Sequence, residues 1–488
     1  MRSIILSALL LSFVGCSSLS HLGGRDPVGV LQQAIDTTLV DSLFTGTQAS
    51  VLVKSLKTGE VLYDRNSKLL LRPASNNKLL TSAAAVVSLD TSFTFWTVVY
   101  VDTPVVHGTV LGNLYLKGFG NPDLKQKDFD TLVYQLKAAG IRNVVGSVVS
   151  DESYFDDLYF GEGWMWDDEP FSYQAAVTPV TINDNCVKVT VIPGRFADDS
   201  VVVMIDPPTP FVSLLYDVRT VADSVVIPLK VSRMFMERLN TITVEGEVVA
   251  GSKPTETLVT VWRPGIYAAQ LLNDRLEQDG ITILGAPTSG ILSDRAQMVA
   301  EHRWPIDSVL TNLNKESDNL SAENVLKTLG AISFGAPGTA RNGITAVKRS
   351  LATLGVDTSK FLMADGSGLS FYNLLSAETL VQLLEGIYRR PDLYTRFSNT
   401  LPIAGIDGTL KTRMRNSAAQ ENLRAKTGSI SGVSSLSGYV TSADGEPLVF
   451  SILMQNFITP TRDYRMVQDK IGILLATFRR SSPQVPAP

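Results

Sequence analysis

A helical apolar period stops near Leu89 and does not return until Asp307, and the residues between read as something else. From Thr94 to about Leu292 the chain runs in short β-rich pieces, FWTVVYVDT, SVVVMID and LVTVWRP among them, punctuated by Gly and Pro. Within that region DFDTLVYQLKAAGI has the spacing of a single amphipathic helix. Before it, VLVKSLKTGEVLYDRN alternates on both sides of a Gly-containing turn and reads as a β-hairpin. RPASNNKLLTSAAAVVSL follows, with Leu80, Ala83, Ala84 and Val87 on one helical face and Pro73 at the helix start. After Asp307 come the helical stretches SVLTNLNKESDNLSAENVLKTLG, GITAVKRSLATLG and SAETLVQLLEGIYRR. RAKTGSISGVSSLSGYVTSADGEPLVFSILMQNF then reads as three strands, the last two joined at ADGE. The chain has no internal repeat. The simplest organisation is an α+β domain formed by 28–93 and 293–478, interrupted by an inserted β-rich region at 94–292.

With 488 residues each part is large enough to bury a core of its own. A net charge of -5 without a Lys/Arg cluster gives no footprint for nucleic acid. Residues 1–16, MRSIILSALLLSFVGC, carry one arginine and an apolar run, the pattern of a secretory signal, too short for a stable span. Its end resembles a bacterial lipoprotein signal whose Cys16 is lipidated and becomes the mature N-terminus, although Phe13 stands where leucine is usual. Residues 17–27 then form a flexible tether to a membrane, and 479–488 a disordered tail. Elsewhere no apolar stretch is long enough to cross a bilayer. Cys186 is the only other cysteine, so no internal disulfide forms and a buried thiol is expected. The three histidines are far apart, and neither H-E-x-x-H nor G-x-S-x-G occurs. A hydrolase of this sequence would not draw its base from histidine.

Three short motifs occur in order: Ser75-Asn76-Asn77-Lys78, Ser317-Asp318-Asn319 and Lys426-Thr427-Gly428. S-x-x-K, S-D-N and K-T-G together are the signature of penicillin-binding proteins and serine β-lactamases. Each alone is weak: Ser75 and Lys78 could be two polar residues capping a helix, and a second K-T-G at Lys57 to Gly59 fills the hairpin turn. The set in order has a chemical logic. A serine hydroxyl needs an adjacent base to become a nucleophile. Lys78, one turn on, serves if burial and neighbouring cations lower its pKa. Ser317 can relay a proton to the leaving nitrogen while Asn319 orients Lys78 and the substrate amide. Lys426, on a strand edge, can pair with a substrate carboxylate that Thr427 also hydrogen-bonds, and Gly428 lets the substrate backbone come close. The backbone N–H groups of Ser75 and Ser429 are the candidates for an oxyanion hole.

The sequence resembles the D-alanyl-D-alanine carboxypeptidase/endopeptidase family among the low-molecular-mass penicillin-binding proteins, the class with large insertions in a transpeptidase-like domain. The likeness extends over nearly all of the chain through RPASNNKLLT, GWMWDDEP, TINDNC, NKESDNLSAENVL, DGSGLS, LPIAGIDGTLKTRM and RAKTGSISGVSSLSGYV. It implies an antiparallel sheet flanked by helices, an insert forming two further domains, and hydrolysis of peptidoglycan stem peptides or cross-links through an acyl-enzyme on Ser75. β-Lactams would acylate the same serine, and no metal or cofactor is implied. A serine β-lactamase is the alternative enzyme, disfavoured because Ser317 follows Ser75 at a distance compact β-lactamases have no room for; an inactive cell-wall scaffold is the other, disfavoured because the motifs are complete.

The resemblance also implies a recognition site. In similar enzymes an aspartate of the insert faces the amino group of the substrate's diamino acid; Asp168 is the match here and Asp167 its rival. Those enzymes commonly place an arginine directly after D-G-S-G-L-S to pair with that side chain's carboxylate. This chain has Phe371, so the carboxylate must be held by another residue, solvated or absent, and a reduced preference for meso-diaminopimelate is expected.

Overall fold

A computed structural model describes residues 26–480 apart from 41 and 224. Cys16, its signal and almost all of the expected tether and tail lie outside them. At the centre is a five-stranded antiparallel sheet in the order Arg424–Ile430, Val433–Thr441, Pro447–Gln455, Gln48–Ser55, Val61–Arg65. The N-terminal hairpin therefore sits beside the last three strands, with Gln48 opposite Gln455. Val433–Thr441 and Pro447–Gln455 are buried almost throughout, because both faces of the sheet are covered. Pro27–Thr38 and Thr461–Thr477 cover one face with Leu31, Ile35, Tyr464, Val467 and Ile471. A layer of helices covers the other, and Lys78–Ser88 lies within it, buried from Lys78 through Val86. Small residues at Ala83, Ala84 and Ala85 let neighbours approach this helix from every side.

Two expectations about helices change. Ser75 lies in a 3₁₀ turn, Ala74–Asn77, and the α-helix proper starts at Lys78. The long run after Asp307 breaks into Ile306–Lys315 and Asn319–Phe334. Ser317 takes a left-handed backbone (φ 63°) in the break, and Asp318 caps the second helix by accepting from Ser321 N at 2.5 Å. A residue with its own local acceptor at the N-cap competes against helix continuation, which the apolar period alone does not reveal.

The insert holds a five-stranded sheet ordered Thr288–Ser289, Val148–Asp151, Leu114–Gly118, Thr94–Val101, Gln297–Pro305, a smaller four-stranded sheet and two three-stranded ones. Phe129–Ala138 is the expected helix; Pro264–Gln278 is a second, unexpected one, whose buried stripe includes Tyr267, Leu271 and Leu272. Cys186 is buried there, and its thiol donates to Asp184 O at 3.3 Å. The expected end of the insert at Leu292 is too early. The returning strand Gln297–Pro305 pairs antiparallel with the departing strand Thr94–Val101, so the insert's sheet runs to Pro305.

Both connections are gripped by one side chain. Arg396, on Pro391–Thr400, donates to Leu89 O (2.5 Å) where the chain leaves and to Asp307 Oδ1 (2.6 Å) where it returns. Arg396→Ala should cost about 1–3 kcal/mol, read as a lower urea midpoint at unchanged slope. A loss below about 0.5 kcal/mol, the range of surface substitutions, would show that the clamp carries no stability.

Candidate active site

The 3₁₀ turn brings Lys78 Nζ to 3.1 Å from Ser75 Oγ. The ammonium is fully buried and uses its three donors on three elements: Ser75 Oγ, Asn319 Oδ1 at short range, and Ser367 O at 2.9 Å. Burial holds its pKa down at about 8, against the opposing pull of Asp318, Asp365 and Glu323. Desolvation is the main cause of the depression, three carboxylates oppose it, and the neighbouring cation expected from sequence is Lys426, which interacts with the Lys78 charge.

Two of those carboxylates build the loop that carries the Ser367 carbonyl. Asp365, completely buried, accepts from Gly368 N (2.8 Å), Ser370 N (2.6 Å) and Asn373 Nδ2 (2.7 Å). Glu323, four residues beyond Asn319 and so on the same helical face, accepts from Gly366 N (3.0 Å) and Ser367 N (2.7 Å). Burial and the nearby Asp365 charge raise its pKa. The glycine at 368 is required: its φ is +89°, and a Cβ would lie 1.9 Å from Ala74 O.

Lys426 is also fully buried, but its ammonium points to Ser317 Oγ (2.7 Å) and Thr427 O (2.9 Å). Burial and the charge of Lys78 drive its pKa well down. The lysine is therefore a buried partner of Ser317, and beside it the half-buried Thr427 donates from its hydroxyl to Thr409 Oγ1 (2.8 Å). Gly428 is also required by packing within the protein. A Cβ there would fall 2.2 Å from Ser435 Oγ, 2.7 Å from Pro73 O and 3.0 Å from Ser75 N, so its bareness lets the strand lie against the nucleophile turn. Asn76 reinforces that contact by donating to Lys426 O at 2.6 Å. Ser429 is exposed at the strand's end, where Arg465 donates to its hydroxyl (3.1 Å).

Ser75, Ser317, Asn319, Ser429, Asp167 and Asp168 share one cleft of about 590 Å³. Asp168 lies in the short turn Trp166–Asp168, and Tyr173 fixes it by donating from its hydroxyl to Oδ1 at 2.8 Å. Burial and that carboxylate hold the Tyr173 phenol well above its ordinary pKa. The same insert segment touches the catalytic groups twice. Asn319 Nδ2 donates to Tyr173 O (2.7 Å), and Trp164 Nε1 donates to Asp365 Oδ2 (2.9 Å). Sequence reasoning missed Glu323, Asp365, Trp164 and Tyr173 as members of this network, although the first three stand inside the stretches that carry the family resemblance and Tyr173 lies three residues beyond one of them. A larger cleft of about 840 Å³, lined by Asp123, Lys125, Asp184 and Asp318, contains neither Ser75 nor either lysine.

Comparison with known proteins fits this geometry. Residues 31–478 match the D-Ala-D-Ala carboxypeptidase 3 (S13) family. A D-alanyl-D-alanine carboxypeptidase of Actinomadura sp. (strain R39) is 35% identical over 92% of this chain and 85% of its own length. The D-alanyl-D-alanine carboxypeptidase DacB of Haemophilus influenzae is 29% identical over 86% of this chain and 88% of its own. The crystal structure of penicillin-binding protein 4 (dacB) from H. influenzae superposes with a TM-score of 0.80 at 27% identity, covering 91% of this chain and 97% of that one. A second structure of that protein, in complex with a β-lactam, superposes with a TM-score of 0.74. The chain belongs to the D-Ala-D-Ala carboxypeptidase 3 (S13) family, and is a serine D-alanyl-D-alanine carboxypeptidase/endopeptidase on the penicillin-binding fold.

Proposed function

We propose that this enzyme hydrolyses peptidoglycan stem peptides with Ser75 as nucleophile and Lys78 as its general base. The observation that carries the assignment is the 3.1 Å contact between Ser75 Oγ and a completely buried amine whose pKa is about 8. At pH 7 about one such amine in ten is neutral, against about one in three thousand at an ordinary lysine pKa. Ser75 Oγ attacks the carbonyl carbon of the penultimate D-alanine, and its proton passes to Lys78 Nζ. The backbone N–H groups of Ser75 and Ser429 receive the developing oxyanion. Ser317, held by Lys426, hands a proton to the departing nitrogen as the C–N bond breaks, and the proton that Lys78 took from Ser75 replaces it, which leaves Lys78 neutral again. Water then gives a proton to Lys78 as it attacks the ester on Ser75, and that proton passes to Ser75 Oγ as the acyl–oxygen bond breaks. Thr427, backed by the Lys426 charge, takes the terminal carboxylate, and Asp168 the amino group of the diamino side chain.

β-Lactams enter the same path as substrate mimics, in keeping with the β-lactam complex of the H. influenzae relative. The N-terminal pattern supports an exported, periplasmic enzyme tethered to the outer membrane by lipid on Cys16, with a soluble periplasmic enzyme as the alternative.

Fluorescent penicillin should label the wild-type protein and fail to label Ser75→Ala, with loss of D-alanine release or cross-link cleavage on purified muropeptides. Full labelling of Ser75→Ala would overturn the assignment. Because the neutral amine is the base, the acylation rate should rise about tenfold per pH unit below pH 8 and level off above it. A rate flat from pH 6 to 9 would exclude Lys78 as the titrating base. Mass spectrometry of the mature protein should find a diacylglyceryl-modified cysteine at its N-terminus; an unmodified terminus beyond Cys16 would make it a freely diffusing enzyme.

A further inference from the structure

Beside the catalytic cleft is a second concavity of about 410 Å³, lined by Arg72, Phe371, Tyr372, Gln455 and Asn456. Phe371 lines both hollows, so its ring is the partition between them. Arg72 stacks on this ring, its guanidinium carbon 5.0 Å from the centroid, and donates from Nε to Phe371 O at 3.4 Å. Its backbone is pinned separately, Arg72 N donating to Gln455 Oε1 at 3.0 Å. The guanidinium is thus oriented by an aromatic face and one carbonyl, which leaves its remaining N–H donors for something else. Among the described residues it makes no ion pair, and no carboxylate lines the hollow. A half-exposed Tyr372, two amides and the apolar Leu362 and Leu374 complete the wall, so the site offers one positive charge and a few neutral polar groups beside an apolar patch.

We propose that Arg72 is a specificity determinant that binds a carboxylate on the substrate side chain where that chain passes the edge of Phe371. The proposal rests on the stem-peptide reading above and adds to it a residue outside the three motifs. It answers the question raised by Phe371. The cation missing after D-G-S-G-L-S is supplied by the segment that carries the nucleophile, three residues before Ser75, and the phenylalanine holds that cation instead of replacing it. The amino group and the carboxylate of a diamino acid would then be received on separate walls, Asp168 from the insert and Arg72 from the catalytic body. Planar guanidinium and planar carboxylate make charge-assisted pairs that an amide of the same shape cannot match. The reduced preference expected from the missing arginine should accordingly not be seen.

The test is kcat/KM on matched D-Ala-D-Ala peptides whose diamino-acid carboxylate is free or amidated, for wild type, Arg72→Gln and Arg72→Lys, with penicillin acylation of each protein as a second readout. Wild type should favour the free acid about tenfold. The acid-to-amide ratio should fall to about one in Arg72→Gln and be partly restored in Arg72→Lys. A wild-type ratio near one, or a ratio that survives Arg72→Gln while both rates fall together, would overturn the proposal, the second result meaning that Arg72 only braces the nucleophile segment. Failure of penicillin to acylate wild type would instead overturn the stem-peptide reading itself.

Discussion

The burial of one ammonium group organises the catalytic half of the molecule. Removing Lys78 from water carries a penalty of several kcal/mol unless its donors are met and its charge is balanced. Its donors are met by a side chain on its own turn, a side chain at the head of the next long helix, and a carbonyl of the glycine-rich loop. Each acceptor has its own support. Asp318 caps the helix that begins with Asn319, and Glu323 and Asp365 fold the loop around Ser367. These three carboxylates also oppose the effect of burial, so that desolvation depresses the amine to about 8 and no further. Lys426 repeats the arrangement at lower stringency, its buried amine donating to Ser317 Oγ and Thr427 O.

Much of this was legible in the sequence, for a definite reason. Nucleophile, relay and anion-binding strand are read by residue type at short spacing, and the segments around them have strong local periods: the hairpin, the nucleophile helix, the final three strands. The apolar period failed where polar geometry overrides it. The break at Ser317 follows from a capped helix start and a left-handed residue, neither of which alters the spacing of Leu310, Leu313, Leu320 and Leu329. The helix Pro264–Gln278 was lost in a β-rich neighbourhood, though Pro264 at its first turn was a usable signal. The insert's boundary depended on a strand pairing that no local pattern encodes. The second-tier carboxylates were invisible as such, since a glutamate four residues past an asparagine means nothing until a loop from elsewhere folds onto it.

The insert is part of the catalytic apparatus. Its segment Gly161 to Gln174 lines the cleft with Met165, Asp167 and Asp168, and it also bonds directly to Asn319 and Asp365, two groups that define the environment of Lys78. On the proposed roles, recognition of the peptide side chain by Asp168 and placement of Lys78 as base would share a backbone. A shift of that segment that moved Asp168 would be felt at Asn319 through Tyr173, whose hydroxyl and carbonyl serve the two residues separately.

The pairing of Gln48–Ser55 with Pro447–Gln455 has a consequence for the life of the chain before it is folded. The central sheet is assembled from two segments far apart in sequence, 48–65 and 424–455, and its N-terminal hairpin alone has too little surface to persist in water. Contacts of such long sequence separation form slowly, because closing the loop costs entropy before the strands return any. The insert carries its own contiguous core and does not wait on that closure. Folding is thus ordered by topology: a middle that can consolidate early, and a Ser75 turn that stays without its neighbouring strand until 424–455 has paired with 48–55. A chain cut short between Lys78 and Lys426 holds Ser75 and Lys78 but no wall to set them against, so the cleft around Ser75 forms only once the two distant halves of the sheet have met.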